Sequence, residues 1–481
     1  MLGIAVILLV LAALIYLAFR GVSLLILAPG LAIIAVLLTM DGPLLATYTQ
    51  VFMTATGNFI IQFFPVFLLG AIFGKLMEDS GSAEVMANSV IRQLGERRAI
   101  LAVVLSCAVM TYGGVSLFVV AFAVYPIAAS LFRRADIPKR LIPATIALGA
   151  FSFTMTALPG TPAIQNAIPM PFFGTSPFAA PGLGIITALI MFAFGMWWLT
   201  FRAKRLAHEG YGVHEETRPA PDKDLRERAA GEGFDLMEVP VEEPVEDLPS
   251  PFVAILPLVL VVLLNLLFTF VVIPRMDTSF LALPQFGETS IDQVRGIWAV
   301  IAALVLSIGA VIALNWQRLP RLKATVDAGA NASLLPIFNT ASLVGFGAVI
   351  ASLSAFVLIR DAVVGLGGDN PLISLAIATN VLAGMTGSAS GGMSIALSTL
   401  GDTYLAMAEA QGISPDLLHR VAAVATGGLD TLPHNGAVIT LLAICGLTHR
   451  EAYGDLAVAA MVGPFVALIA LITLGTLFGS F

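Results

Sequence analysis

Apolar runs of roughly 20 residues, enough to cross a hydrocarbon core of about 30 Å, recur along the whole chain. In the first half they cover residues 2–19, 22–40 and 59–77, then a long run at 99–132, a run from 141 that breaks near Pro159, and 183–201. A hydrophilic stretch at 202–251 follows. The second half repeats the pattern with 252–273, 294–314, 333–359, 371–400, a run at 417–446 that breaks near Pro433, and 456–481. The first run has no basic start, and no small-residue cleavage pattern follows it, so it reads as a span and not as a signal peptide.

Two of these runs do not behave as crossings. The run at 99–132 would measure about 50 Å as a single helix at about 1.5 Å per residue, and basic residues flank it on both sides. The run at 371–400 is bounded by Asp369, Asp402 and Glu409. Both fit re-entrant helical hairpins that enter and leave on one face. With the N-terminus outside, Arg20, Lys75, Arg92, Arg97, Arg98, Arg133, Arg134, Lys139, Arg140, Arg202, Lys204, Arg205, Arg318, Arg321, Lys323 and Arg450 fall in the cytoplasm. The basic residues of the central loop join them, and Arg275, Arg295, Arg360 and Arg420 are left outside. Positive charge is retained on the cytoplasmic side, so the central loop is expected inside and both termini outside.

The halves match in order at offsets of about 271 to 278 residues. Residues 22–40 pair with 294–314, and Phe64-Pro65-Val66-Phe67 pairs with Leu335-Pro336-Ile337-Phe338. Gly113-Gly114-Val115-Ser116 pairs with Gly391-Gly392-Met393-Ser394, and Leu158-Pro159-Gly160-Thr161 with Leu432-Pro433-His434-Asn435. An odd number of spans per half inverts one half against the other. The expected fold is therefore an all-α integral membrane protein of two inverted repeats, with five spans, a hairpin and a broken helix in each. The first repeat covers 1–201, with its hairpin entering from the inside at about 99–132 and its broken helix at about 141–170. An acidic cytoplasmic linker covers 202–251. The second repeat covers 252–481, with an outer hairpin at about 371–400 and a broken helix at about 417–446. Inverted repeats with interrupted helices typify alternating-access transporters, whose site lies between the repeats near the midplane.

Polar clusters interrupt the apolar runs at the hairpin tips and the breaks. Glycine tolerates unusual backbone angles and proline breaks helices. Backbone left non-helical at membrane depth must be buried or line a cavity. The candidate substrate-binding residues are Tyr112, Gly113, Gly114 and Ser116 in the first hairpin, with Thr156, Thr161, Gln165 and Asn166 around the first break. Their second-half counterparts are Ser388, Ser390, Gly391, Gly392 and Ser394, with Thr431 and Asn435. Half-helix N-termini suit an anion such as a carboxylate, and hydroxyls suit a hydroxylated substrate. Asp430 and His434 stand four residues apart inside the second break. An ionisable group at that depth is a functional hypothesis by default, and His titrates near neutrality. The pair is the candidate proton-coupling element, and no first-half acid matches Asp430. Glu451 and Asp455 read as solvated loop charges.

Composition narrows the class. Of the 481 residues, 58% are hydrophobic and 11% charged, against roughly 25% charged in soluble domains. A mean hydropathy of +0.94 agrees. The net charge of −7 is concentrated in the acid-rich, proline-containing stretch from Glu209 to Asp247, which has the composition of a disordered linker. Cys107 and Cys445 lie in apolar segments without ligand spacing. No metal site, cofactor, nucleic-acid partner or catalytic constellation is expected, and an intramembrane enzyme is the remote alternative.

At these clusters the sequence resembles the gluconate:proton symporter family, in its hydroxybutyrate permease-like branch. The stretches that carry the likeness are YGGVSLFVVAFAVYPIA (112–128), TGSASGGMSIALSTLGDTY (386–404) and GGLDTLPHNGAVITLLAICGLTH (427–449). The resemblance implies proton symport of a small hydroxylated monocarboxylate, such as 3-hydroxybutyrate or gluconate, across the bacterial inner membrane. It also implies a homodimer whose partners are the organic anion, the proton and the lipid bilayer. A sodium-coupled carboxylate symporter or an exchanger is the competing reading, because hydroxyls and unwound carbonyls can also hold Na⁺.

Overall fold

The computed structural model describes residues 2–20, 22–115, 117–212, 248–368, 370–433 and 435–481. Most of the acidic linker, with Ser116 and His434, lies outside the described residues. Helices account for the architecture, and no strand occurs among the described residues. The first half contains α1 (Leu2–Phe19), α2 (Leu24–Thr39), α3 (Leu44–Asp79), α4 (Ser82–Leu94), α5 (Ala99–Tyr112), α6 (Leu117–Arg134), α7 (Ile142–Ala150) and α8 (Pro181–Arg205). The second contains α9 (Pro251–Arg275), α10 (Ile291–Leu314), α11 (Leu322–Ser352), α12 (Phe356–Gly365), α13 (Pro371–Thr386), α14 (Ala389–Ala410), α15 (Pro415–Leu429), α16 (Gly436–Ile444) and α17 (His449–Phe478).

Local signals explain where these helices start. Proline occupies the first helical turn of α8, α9, α13 and α15, where its missing N–H costs nothing. Side-chain caps precede three of them: Ser250 accepts from the Val253 amide, Asn370 from Leu372 and Ser414 from Asp416. Thr448 and Glu451 form a capping box on α17. Glu451 is thus part of a helix start and not a loose loop charge.

The halves repeat one order of elements, and the contacts between helices are reciprocal. Helix α1 packs on α2 as α9 packs on α10, and α2 meets α11 as α10 meets α3. Helix α5 packs on α6 and α7, as α13 packs on α14 and α15. The two-fold relation is closed by α3 against α11 and by α8 against α17. This is the all-α membrane fold expected from the duplicated hydropathy pattern. Six described helices are long and apolar enough to cross a membrane. Burial separates them: 67% of the apolar window of α11 is buried, against 28% for α9, so α11 is a central helix and α9 a peripheral one.

Each long polar-centred run is a hairpin or a broken helix. Helices α5 and α6 are joined at Gly113–Gly114, where Gly114 has φ +83°. Helices α13 and α14 turn at Gly387, whose φ of +62° is left-handed. The arms reach further than hydropathy indicates, to Arg134 and Ala410, because they continue as polar helix past the apolar stretch. After α7 the first broken helix runs through Phe153–Thr156, an irregular stretch, Ile164–Ala167 and Pro169–Phe173. The second break separates α15 from α16.

Candidate functional site

One cavity of about 330 Å³ lies where the hairpin tips, the breaks and the central helices α3 and α11 meet. The first hairpin supplies Gly114, and the first break supplies Pro162, Ala163, Ile164 and Gln165. The second hairpin supplies Thr386 to Ser390, and the second break supplies Asp430, Thr431 and Asn435. Helix α11 adds Ser333, Pro336, Asn339 and Thr340. Helix α3 lines the cavity from Val66 to Glu78, about 18 Å at 1.5 Å per residue. The volume falls in the range of small-molecule pockets.

Three polar side chains on this wall have buried atoms without a hydrogen-bond partner among the described residues. They are Gln165 Oε1, both amide atoms of Asn339, and Asp430 Oδ1. Buried polar atoms in folded proteins are nearly always paired, and an unpaired one costs about 1–3 kcal/mol. All three converge on this one cavity. Two helix starts also face it. Ser388 Oγ accepts from the Gly391 amide at 3.1 Å at the start of α14. Asn435 Oδ1 accepts from Ala437 at 2.7 Å at the start of α16. Helix N-termini carry partial positive charge.

The sequence-derived residues divide into two groups. Gly114, Gln165, Ser388, Ser390, Asp430, Thr431 and Asn435 line the cavity. Tyr112, Gly113, Thr156, Thr161, Asn166, Gly391, Gly392 and Ser394 do not; they build its frame. Tyr112 Oη donates to the Pro159 carbonyl at 2.8 Å, tying the first hairpin to the first break. Thr156 and Ser394 donate back to the Ser152 and Ser390 carbonyls in their own helices. Thr161 Oγ1 accepts from the Ala163 amide at 3.2 Å. A Cβ on Gly113 would collide with Leu258, one on Gly391 with Leu343, and one on Gly392 with the α13 backbone at Ala383. These glycines are therefore close-packing residues. Asp430 follows the last residue of α15, in a turn.

Several residues escaped the sequence reading. Asn339 and Thr340 directly follow the duplicated Leu335-Pro336-Ile337-Phe338 segment, which was the available signal. Arg420 is fully buried inside α15, not at an exposed outer end. It donates to the Ala179 carbonyl at 2.7 and 3.1 Å, to Asn166 Oδ1 at 3.2 Å and to the Thr156 carbonyl at 3.4 Å. Buried His419 bridges Thr175 Oγ1 at 2.6 Å and Asn166 Oδ1 at 3.2 Å. This network binds the second broken helix to the first. Asp455 is likewise not solvated: it is 3% exposed and takes two bonds from Arg202, at 2.6 and 3.2 Å, joining α17 to α8. Cys107 and Cys445 are buried free thiols.

No family model matches the sequence. A Bacillus subtilis (strain 168) protein described as an uncharacterized transporter, YxjC, is 45% identical over 466 residues, covering 94% of each chain. The chain belongs to this transporter family. A second uncharacterized transporter, from Haemophilus influenzae, is 35% identical over 148 residues, 31% of this chain and 33% of its own. Among solved structures, the Alcanivorax borkumensis YdaH transporter aligns with a TM-score of 0.57 at 16% identity, covering 89% of this chain and 88% of its own. Neisseria gonorrhoeae MtrF, described with a class of antimetabolite efflux pumps, aligns with a TM-score of 0.52 at 14% identity, covering 89% and 83%. At those identities the likeness is one of fold. Membership of the family makes the chain a multi-pass membrane transporter and not an enzyme.

Proposed function

We propose that this transporter imports a small hydroxylated monocarboxylate, such as 3-hydroxybutyrate or gluconate, by proton symport across the bacterial inner membrane. The reading follows the sequence resemblance to the gluconate:proton symporter family and assigns the cavity as the substrate site. The observation that carries it is the convergence of Gln165, Asn339 and Asp430, each with an unpartnered buried atom, beside the N-termini of α14 and α16. The amides and the Ser388 and Ser390 hydroxyls match a hydroxylated substrate, and the partial positive charge of the two helix starts favours an anion in the cavity.

Charge supports coupling to protons. The formally charged side chains on the described cavity wall are Lys75, Glu78 and Asp430, a formal balance of −1. An anion entering a poorly solvated cavity adds a second uncompensated negative charge, which is costly. A proton taken up with the substrate, with Asp430 as its acceptor, offsets that charge. Inward movement fits a cavity that runs toward the Lys75 end of α3, the end read as cytoplasmic from the basic residues.

The test is uptake of labelled 3-hydroxybutyrate and gluconate into proteoliposomes under an inward proton gradient, with and without sodium. Accumulation that collapses with an uncoupler and ignores sodium is expected. Uptake that requires sodium would replace the proton by Na⁺, and no uptake of either acid would discard the substrate class.

A further inference from the structure

Lys75 is the basic side chain on the described cavity wall. It lies on α3, one helical turn before the helix ends at Asp79, and its side chain is 19% exposed. Its ammonium is already occupied, at 3.2 Å from Glu78 Oε2 and 3.0 Å from Asp79 Oδ1. The two carboxylates are held differently. Asp79 is anchored from the opposite repeat, where Thr325 Oγ1 of α11 donates to its Oδ2 at 2.6 Å. Glu78 pairs with Lys75 and faces the cavity with its side chain 16% exposed. Lys75 therefore has one fixed carboxylate and one replaceable carboxylate, and the replaceable one borders the substrate space.

Resting on the transport reading above, we propose that Lys75 is the carboxylate-recognition residue of the site and that Glu78 is an internal carboxylate the substrate displaces from it. An ammonium is a compact point charge on a flexible stem with three donors, so it can keep Asp79 while exchanging Glu78 for a ligand oxygen. A cation kept paired while the site is empty is not left as an uncompensated charge in a half-buried position. The substrate must then compete with Glu78, which favours carboxylates over neutral analogues of the same shape. Position 75 has no charged counterpart in the second repeat, where the offset of 271 residues falls on Phe346. The anion is therefore recognised from the first repeat, at the Lys75 end of α3.

The experiment measures binding of 3-hydroxybutyrate and its neutral amide, 3-hydroxybutyramide, to the purified full chain by calorimetry. A charge-assisted hydrogen bond contributes about 1.5–3 kcal/mol, so the wild type should prefer the acid by roughly tenfold or more. Lys75→Gln should bring that preference below about threefold, and Lys75→Arg should restore most of it. Glu78→Gln removes the competing carboxylate and should tighten acid binding by roughly threefold to tenfold, a gain that misfolding does not produce. A Lys75→Gln variant that keeps the acid preference, or a Glu78→Gln variant with unchanged or weakened acid affinity, would overturn the assignment while leaving carboxylate transport standing. A wild type that binds neither acid nor amide would instead remove the substrate class itself, and this assignment with it.

Discussion

Asn435 Nδ2 donates to the Gly387 carbonyl at 2.7 Å, so the second break and the tip of the second hairpin are joined by one side chain. The same residue caps α16 through its Oδ1. A helix start and a hairpin turn are thereby held in a fixed relation at the cavity wall. If the hairpin moves against α16 during transport, this bond must open. Asn435→Asp keeps the cap oxygen and loses the donor, whereas Asn435→Ala loses both. We expect both variants to lose stability with the bond to the Gly387 carbonyl, and the alanine variant to lose about 1 kcal/mol more through the cap. Both should lose most uptake, which proteoliposome assays and thermal melts in detergent will check. Normal uptake by Asn435→Asp would show that the tie is dispensable.

Asn339 offers a contrast between stability and function. Both its amide atoms are buried without a partner among the described residues, so they contribute desolvation cost and no bond. Replacing it with leucine should leave the melting temperature unchanged or higher. Substrate affinity should fall by roughly tenfold, the worth of about one good hydrogen bond to a charged group. A variant that melts lower while transporting normally would contradict the assignment.

Arg420 should behave in the opposite way. Its guanidinium satisfies the Ala179 and Thr156 carbonyls and Asn166 Oδ1. Arg420→Met strands those acceptors, and the expected loss is about 3 kcal/mol or more. Arg420→Lys keeps the charge but not the planar fork, so it should recover only part of the loss. Thermal unfolding of the detergent-solubilised protein gives the ranking, wild type above lysine above methionine.

The Arg202–Asp455 pair is a test of charge geometry at the end of the bundle. Arg202 is 18% exposed at the side chain and Asp455 is 2% exposed, and Arg140 approaches the same carboxylate at 3.9 Å. Asp455→Asn should lower stability by about 1–3 kcal/mol, with the lost charge felt by both arginines. Asp455→Glu should be milder if the longer side chain still reaches Arg202. Equal melting temperatures for the asparagine variant and the wild type would show that the pair is energetically idle.

The sequence by itself determined the class, the helical content and the duplicated order of elements, because each rests on local quantities. Span length follows from bilayer thickness, hairpins from runs too long or wrongly flanked for one crossing, and breaks from proline and glycine. These signals also pointed to polar stretches near 112–116, 156–166, 386–394 and 430–435. Only the tertiary structure decided which of those residues face the cavity. Gly391 and Gly392 read as binding residues, yet they face Leu343 and Ala383, because the side of a hairpin that meets its neighbour is set by packing. Lys75 and Arg420 show the same limit for charge. Counted along the chain, each was a basic residue near a span end used to set orientation; in the fold, Lys75 borders the cavity and Arg420 is fully buried. The partners that make burial of Arg420 tolerable are carbonyls and an amide more than 240 residues away, a relation that exists only once the two halves have closed on each other.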